Sequence, residues 1–188
     1  MTRVPESDKA FAKAAASAFG GTPSVHRHWD EDESHHVDIL SCTDTPADGL
    51  STYSTLGLRH VPVILEERTI PVELVGVGPT DASAYPNVLA TSAFFVMKER
   101  WLCAPGVVFP DVVAEYELSE HLRHVLWLDP SPWPELGALT VGTETAHWLL
   151  ALPISELERK RLVEVGLPQF EALLDGVDYW DLQRPPIV

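Results

Sequence analysis

Hydrophobic and polar residues follow two different periods along this chain, and each change of period marks a predicted element. Residues 6–19 place apolar side chains three and four positions apart, and Gly20 and Gly21 follow them. This spacing predicts an amphipathic N-terminal helix, with Ser7 as its cap and the glycine pair at its end.

From Ser24 the period becomes two, which is typical of strands. Two alternating runs flank an acidic loop in the order SVHRHW, DEDES and HHVDILSC, and this arrangement predicts a hairpin. Two further strands are predicted over residues 50–58 and 69–78, and Val72 and Leu74 indicate that the second has one half-buried face. The sheet is therefore expected to consist mostly of antiparallel sequence neighbours.

The following residues predict a long helix and two buried strands. Residues 82–106 carry a broad apolar stripe, with Pro86 in the first turn and APG at their end as a stop signal. Residues 124–129 and 146–154 are almost wholly apolar, as expected for strands that are buried on both faces.

The C-terminal part predicts two helices and a docked tail. Ser155 and Glu158 have the spacing of a capping box, and a second helix is expected over residues 168–176. Tyr179 and Trp180 are expected to dock on the body of the protein. Together the elements predict an α+β fold with a mixed, mostly antiparallel sheet, a central helix packed on it, and N-terminal and C-terminal helices.

The chain length indicates one globular unit. With 188 residues, and with no repeat, low-complexity segment or linker, the sequence fits one domain. We expect residues 1–22 to contain the N-terminal helix and residues 23–188 to form the domain itself.

An excess of carboxylates restricts the partners of this protein. The chain has 28 acidic and 13 basic residues, which gives a formal net charge of −15. Such a charge repels nucleic acid and anionic membrane surfaces and favours basic partners. It also promotes solubility, so the charge alone does not establish that a basic partner exists.

The cysteines and the N-terminus indicate a cytoplasmic protein. Cys42 and Cys103 are too few for a disulfide framework, so we expect reduced thiols. The alanine-rich start resembles a signal peptide, but charged residues interrupt it (Glu6, Asp8, Lys9 and Lys13). No apolar run reaches the roughly 18 to 20 residues that would cross a bilayer.

Four residues of the predicted hairpin are candidates for a metal site. His26 and His28 share one face of the first strand, and His36 and Asp38 share one face of the second. If the register brought these faces together, three nitrogens and a carboxylate would suit zinc. The spacing matches no zinc signature, however, and half-exposed strands account for the same residues. A metal-binding module or a metal-dependent enzyme therefore stays an alternative, and we expect no metal and no cofactor.

The other motifs predict binding and not catalysis. The sequence has no nucleophile-elbow or phosphate-loop signature, so we expect no enzyme. The acidic loop lacks the ligand spacing of a calcium site and is a candidate contact for a partner (Asp30, Glu31, Asp32 and Glu33). Trp133, in a proline-rich loop, is a second candidate contact, with docking on its own domain as the alternative.

Two segments resemble the suppressor-of-fused domain family. Residues 35–60 are similar to its N-terminal signature, in which Val37-Asp38-Ile39 and residues 53–57 carry the match and Arg59 replaces a residue that is often small and polar. Residues 147–175 are similar to its C-terminal segment, where a hydrophobic strand ends in PIS and acidic residues, a glycine and a short amphipathic helix follow. The resemblance spans residues 20–184.

The resemblance implies a non-enzymatic protein-binding domain of mixed α/β fold. Animal members combine such a domain with a second one and bind transcription factors, and this chain has no room for the second. Stand-alone bacterial members are predicted immunity proteins, which neutralise polymorphic toxins by binding them. The expected partner is then a toxin with a basic surface, and a regulatory adaptor is a further alternative.

Overall fold

The computed structural model describes residues 5–61 and 63–188, so residues 1–4 of the predicted N-terminal unit lie outside the described residues. The helices are α1 (Glu6–Phe19), α2 (Tyr85–Glu99), α3 (Glu156–Val165) and α4 (Leu167–Ala172). The strands are β1 (Thr22–Trp29), β2 (His36–Thr43), β3 (Leu50–Leu56), β4 (Val63–Leu65), β5 (Arg68–Ile70), β6 (Val72–Pro79), β7 (Val108–Phe109), β8 (Leu122–Leu128), β9 (Leu139–Val141) and β10 (Glu144–Ser155).

One large sheet organises the molecule. Its strands lie in the order β1-β2-β3-β6-β10-β8-β7, and β9 pairs with β10 beside this path. Neighbouring strands are antiparallel except for β6 and β10, which run parallel. The predicted α+β fold with a mostly antiparallel sheet is confirmed.

The strand predicted over residues 69–78 is two strands. The chain breaks at Pro71, which cannot donate to a ladder, so β5 joins β4 in a separate hairpin and β6 enters the large sheet. The half-buried face expected for β6 is wrong, because even Glu73 is only 1% exposed. The predicted burial of β8 and β10 is confirmed.

Helices cover both faces of the sheet and create two cores. One core contains Leu89 of α2 together with Leu74 of β6 and Trp127 of β8. In the other, α1, α3 and α4 lie over the opposite face, where Phe11 packs near Trp148. The strands β6 and β10 are mostly apolar on both sides because neither side meets water.

The helix ends agree with the sequence in most places. Gly20 ends α1, and Ser155 and Glu158 form the predicted capping box at α3. Ser7 is not the cap of α1, because the helix begins at Glu6 and places Ser7 inside the first turn. The α2 helix ends at Glu99, before the predicted APG stop, since the left-handed Arg100 interrupts it.

A buried ionic network ties α1 to the sheet. Glu73 accepts hydrogen bonds from the Thr55 hydroxyl (2.6 Å) and the Gly57 amide (2.7 Å), and its carboxylate lies 3.3 Å from the Arg59 guanidinium. Arg59 also pairs with Asp8 of α1. Burial raises the pKa of Glu73, and the hydrogen bonds and the Arg59 charge offset only part of that rise. Arg59, which stands where the family signature often has a small polar residue, therefore has a structural role as the cation that pairs with Glu73 and Asp8.

A second buried pair fixes the C-terminal tail. Arg184 donates to Glu158 of α3 and, over 3.0 Å, to the carbonyl oxygen of Pro153. Tyr179 and Trp180 pack half-buried against the core, as predicted. Cys42 and Cys103 are free and buried, which agrees with the expected reduced thiols.

Replacing Gly78 in β6 should destabilise the fold. A Cβ atom at Gly78 would lie 2.6 Å from the ring of Tyr85, the first residue of α2, which is fully buried between the helix and the sheet. Gly78→Ala is expected to lower the free energy of unfolding by roughly 1–3 kcal/mol, because the core cannot accept the methyl group without shifting. Urea unfolding followed by tryptophan fluorescence measures the change.

Gly137→Ala is the matched control, since a Cβ atom there has no neighbour within 4 Å. It should change the free energy of unfolding by no more than about 0.5 kcal/mol. Equal stability of the two variants would contradict the close approach of Tyr85 to β6.

Candidate functional site

The register of the β1–β2 hairpin separates the four candidate metal ligands. Residues directly opposite in an antiparallel pair share a face. His26 lies opposite Ile39 and His28 opposite Val37, so both histidines project on the side of the α2 core. His28 contacts Asn87 of α2, with its Nδ1 atom 3.1 Å from the amide oxygen.

The second candidate pair points to the other face of the hairpin. Asp38 lies opposite Arg27 and accepts two hydrogen bonds from it, at 2.7 and 2.9 Å, and His36 lies opposite Trp29. No group of three or more histidine, cysteine or acidic side chains that could hold a metal ion occurs in the described residues. The hypothesis of a zinc site on this hairpin is therefore wrong, because the pairing places its ligands on opposite faces.

The acidic turn between β1 and β2 is internally bonded. Asp30 is nearly buried and accepts hydrogen bonds from the His35 amide (2.9 Å), the Ser34 hydroxyl (3.0 Å) and the Lys98 ammonium of α2 (3.0 Å). Lys98 also lies 3.4 Å from Asp32. Burial alone would raise the pKa of Asp30, but these hydrogen bonds outweigh it and hold the pKa well below its usual range.

The turn therefore presents fewer free charges than its sequence indicates. Asp30 and Asp32 share the Lys98 ammonium, whereas Glu31 and Glu33 are exposed. Of the four predicted contact residues, Asp30 positions the turn and the two glutamates are directly available to a partner.

Trp133 does not extend from the surface. It is 5% exposed, and its ring packs edge-on against Phe19, with the ring centroids 5.0 Å apart. The 3-10 helix Pro134–Ala138 turns the proline-rich loop back over the end of α1. The prediction of an exposed anchor at Trp133 is corrected, and the alternative, docking on its own domain, is what the structure has.

A groove lies where the hairpin end meets α2. It has a volume of about 360 Å³ and runs between Trp29, at the end of β1, and Tyr116, in the 3-10 helix Ala114–Tyr116. Phe94 and Phe95 of α2 also line it. The acidic side chains that line it are Asp30, Glu31, Glu99 and Glu115.

The aromatic and acidic lining of this groove was not apparent from the sequence. Trp29, Lys98 and Tyr116 are far apart in the chain, and only the packing of the hairpin on α2 brings them together. A weak signal existed in the alternation of β1, which ends on a tryptophan beside four acidic residues.

The β1 strand forms one edge of the sheet. It pairs with β2 on one side, and its side chains are exposed along almost the whole strand. Among the described residues no strand pairs with its outer side. Such an edge can accept an extended segment of another chain.

Comparisons with known proteins agree with this fold. The family model described as Suppressor of fused protein (SUFU) matches residues 33–185. Immunity protein YqcF of Bacillus subtilis (strain 168) is 34% identical over 190 residues, which cover 98% of this chain and 99% of that protein.

Solved structures show the same architecture at low identity. A putative suppressor-of-fused homologue from Neisseria gonorrhoeae FA 1090 superposes with a TM-score of 0.71 at 18% identity, covering 97% of this chain and 96% of its own. A chain of a Sufu–Fu complex superposes with a TM-score of 0.69 at 12% identity, covering 97% and 93%. Drosophila Suppressor of Fused gives a TM-score of 0.66 at 12% identity over 94% of this chain and 50% of its own.

The fold thus defines an α+β domain of the kind found in suppressor-of-fused structures. The chain belongs to the suppressor-of-fused family, since the family model covers most of its length and a close relative covers nearly all of it. The resemblance inferred from residues 35–60 and 147–175 is confirmed. None of the described helices has the length and apolar character needed to cross a membrane.

Metal removal should leave the protein unchanged. Because the hairpin register holds the histidine pairs on opposite faces, we expect purified protein to retain much less than one zinc ion per chain after dialysis. The melting temperature should be the same with and without a chelator. Elemental analysis and thermal unfolding measure the two quantities, and stoichiometric zinc with a chelator-dependent melting temperature would contradict the described register.

The charge of Asp30 should make stability depend on pH. Its folded pKa lies below that of an unfolded aspartate, about 3.9, so its ionised form stabilises the protein above about pH 4 and this contribution is lost as the pH falls further. Asp30→Asn should therefore be less stable than the wild type near pH 7, and the difference should narrow towards about pH 3.

Urea unfolding at several pH values tests this expectation. Asp48→Asn, altered in an exposed loop, controls for the loss of one negative charge. A stability difference for Asp30→Asn that stays constant with pH would show that its ionisation does not stabilise the turn.

Proposed function

We propose that this protein is an immunity protein that neutralises a bacterial toxin by stoichiometric binding, without catalysis. One observation carries the proposal: a relative that aligns over nearly the full length of both chains is named an immunity protein. At 34% identity with this coverage the two chains are expected to share a fold. Because a fold alone does not determine function, the inferred activity rests on analogy with this relative.

The surface charge supports a basic partner. An immunity protein must reach its toxin quickly, and a net charge of −15 increases the rate of encounter with a basic surface. The exposed Glu31 and Glu33 extend from a turn that Asp30 and Lys98 hold in place. A fixed acidic turn loses little conformational entropy on binding, which favours affinity.

The edge strand supports a second kind of contact. The outer side of β1 adjoins the acidic turn, so a partner could pair with the strand and contact the turn at once. In this proposal the toxin is held by main-chain hydrogen bonds along β1 and by charge at its end. The protein would act in the cytoplasm, in agreement with its two free cysteines.

Co-expression with a neighbouring toxin tests the proposal. We expect the adjacent gene to encode a protein with a C-terminal toxin domain, and expect this chain to restore growth when the two are expressed together. The two proteins should co-elute as a complex of one toxin per chain, with faster association at low salt because the attraction is electrostatic.

A toxin of similar charge from an unrelated gene pair is the control, and this chain should not protect against it. If growth stays arrested with the neighbouring toxin and the proteins elute separately, the proposal fails. Capture of a protein without toxic activity would instead indicate the regulatory adaptor.

A further inference from the structure

The groove between the acidic turn and α2 combines aromatic walls with unneutralised acids. Trp29, at the end of β1, borders its mouth and is 52% exposed, and its ring tilts over the His36 ring on the other face of the hairpin, with the centroids 4.9 Å apart. Tyr116 and Phe94 line it farther along. Aromatic rings that packing holds in place can contact a ligand with little loss of conformational freedom.

Negative charge accumulates around these rings. The Lys98 ammonium bonds to Asp30 and Asp32, and it is the only Lys or Arg in the lining. Glu31, Glu99 and Glu115 form no ion pair within the described part of the chain. The groove is thus negative even after the charge of Lys98 is counted.

Two further features strengthen this potential. Glu99 is the last residue of α2, where the helix dipole adds a partial negative charge. Glu31 of the acidic turn and Glu115 of the 3-10 helix line the groove from two different elements. Burial raises the pKa of Tyr116, and the carboxylates of Glu115 and Glu31 raise it further. A cation between them would relieve their mutual repulsion.

The ligand that fits is organic and not metallic. The carboxylates do not converge, since no group of three acidic, histidine or cysteine ligands occurs in the described residues. Aromatic rings lie among the acids instead, and such rings attract flat organic cations through their faces. A guanidinium group stacks on aromatic rings and pairs with carboxylates in a fixed planar geometry, which an ammonium group does not.

We propose that this groove binds an arginine side chain of the partner protein, with the guanidinium stacked on Tyr116 and paired with Glu31 and Glu115. The inference rests on the proposed function for the source of the arginine. It deepens that function by assigning a pocket and a residue type to the contact. A volume of about 360 Å³ is at the small end of ligand sites, which suits one anchoring side chain.

A titration with small probes tests the groove without the toxin. The probes are N-acetyl-arginine amide, its lysine counterpart and its citrulline counterpart, which has the shape of arginine without the charge. The indole N–H signal of Trp29 in a ¹H–¹⁵N correlation spectrum reports binding, and Trp29→Phe assigns it among the six tryptophans.

Arginine should shift the Trp29 signal with a dissociation constant of order millimolar, at least about threefold tighter than lysine. Citrulline should give no saturable shift, because it lacks the charge. Glu31→Gln with Glu115→Gln should weaken arginine binding about tenfold, whereas Glu135→Gln with Glu171→Gln, exposed residues outside the groove, should leave it unchanged. Equal shifts from arginine and citrulline, or no shift, would overturn the inference.

Binding and neutralisation measurements with the neighbouring toxin then distinguish a failure of this inference from a failure of the proposed function. If the wild-type chain neutralises the toxin and the Glu31/Glu115 variant binds it as tightly as the Glu135/Glu171 control, the arginine pocket is wrong and the immunity function stands. If the wild type does not neutralise the toxin, the immunity function fails, and the probe titration still decides whether the groove selects arginine. Urea unfolding of both double variants verifies that each is folded.

Discussion

The parallel pair of β6 and β10 sets the requirements that the rest of the fold must meet. Both strands are buried on both faces, so each face of the sheet needs its own helical layer. The α2 helix supplies one layer, and α1 with the C-terminal helices supplies the other. The hairpin of β1 and β2 forms one edge of the sheet, and α2 packs across β2, β3 and β6. The end of the hairpin therefore meets α2, and the groove lies between them.

Acidic residues in this protein are paired with a cation in the interior, whereas several of those around the groove are not. Inside, each buried acid is satisfied: Glu73 has Arg59, and Glu158 has Arg184. Leaving either acid without its cation would be costly, so these pairs fix how α1 and the tail sit on the sheet. Around the groove, by contrast, several acids have no cation beside them. A surface that accumulates charge of one sign is suited to binding, whereas the internal pairs are suited to defining the structure.

The sequence predicted elements well where a local pattern determines them. The hairpin, α1, α2 and the capping box of α3 follow from spacing of two or three to four residues and from cap chemistry. Local sequence patterns could not predict features that depend on contacts between distant parts of the chain. The strand register places the histidine pairs on opposite faces of the hairpin, which the spacing of two does not reveal. Glu73 is buried because helices cover both faces of the sheet, and Trp133 is buried because the proline-rich loop folds back on α1. The groove combines β1, α2 and a 3-10 helix, so no single segment encodes it.

The exposure of β1 has a consequence for how such a protein can change over time. The side chains of this edge strand contribute little to either core, whereas its backbone is fixed by pairing with β2. Substitutions there alter the surface that a partner meets while leaving the free energy of folding nearly unchanged. The binding surface on β1 can therefore change in sequence while the fold stays the same. A protein whose partner changes over evolution would then keep its stability as its specificity changes.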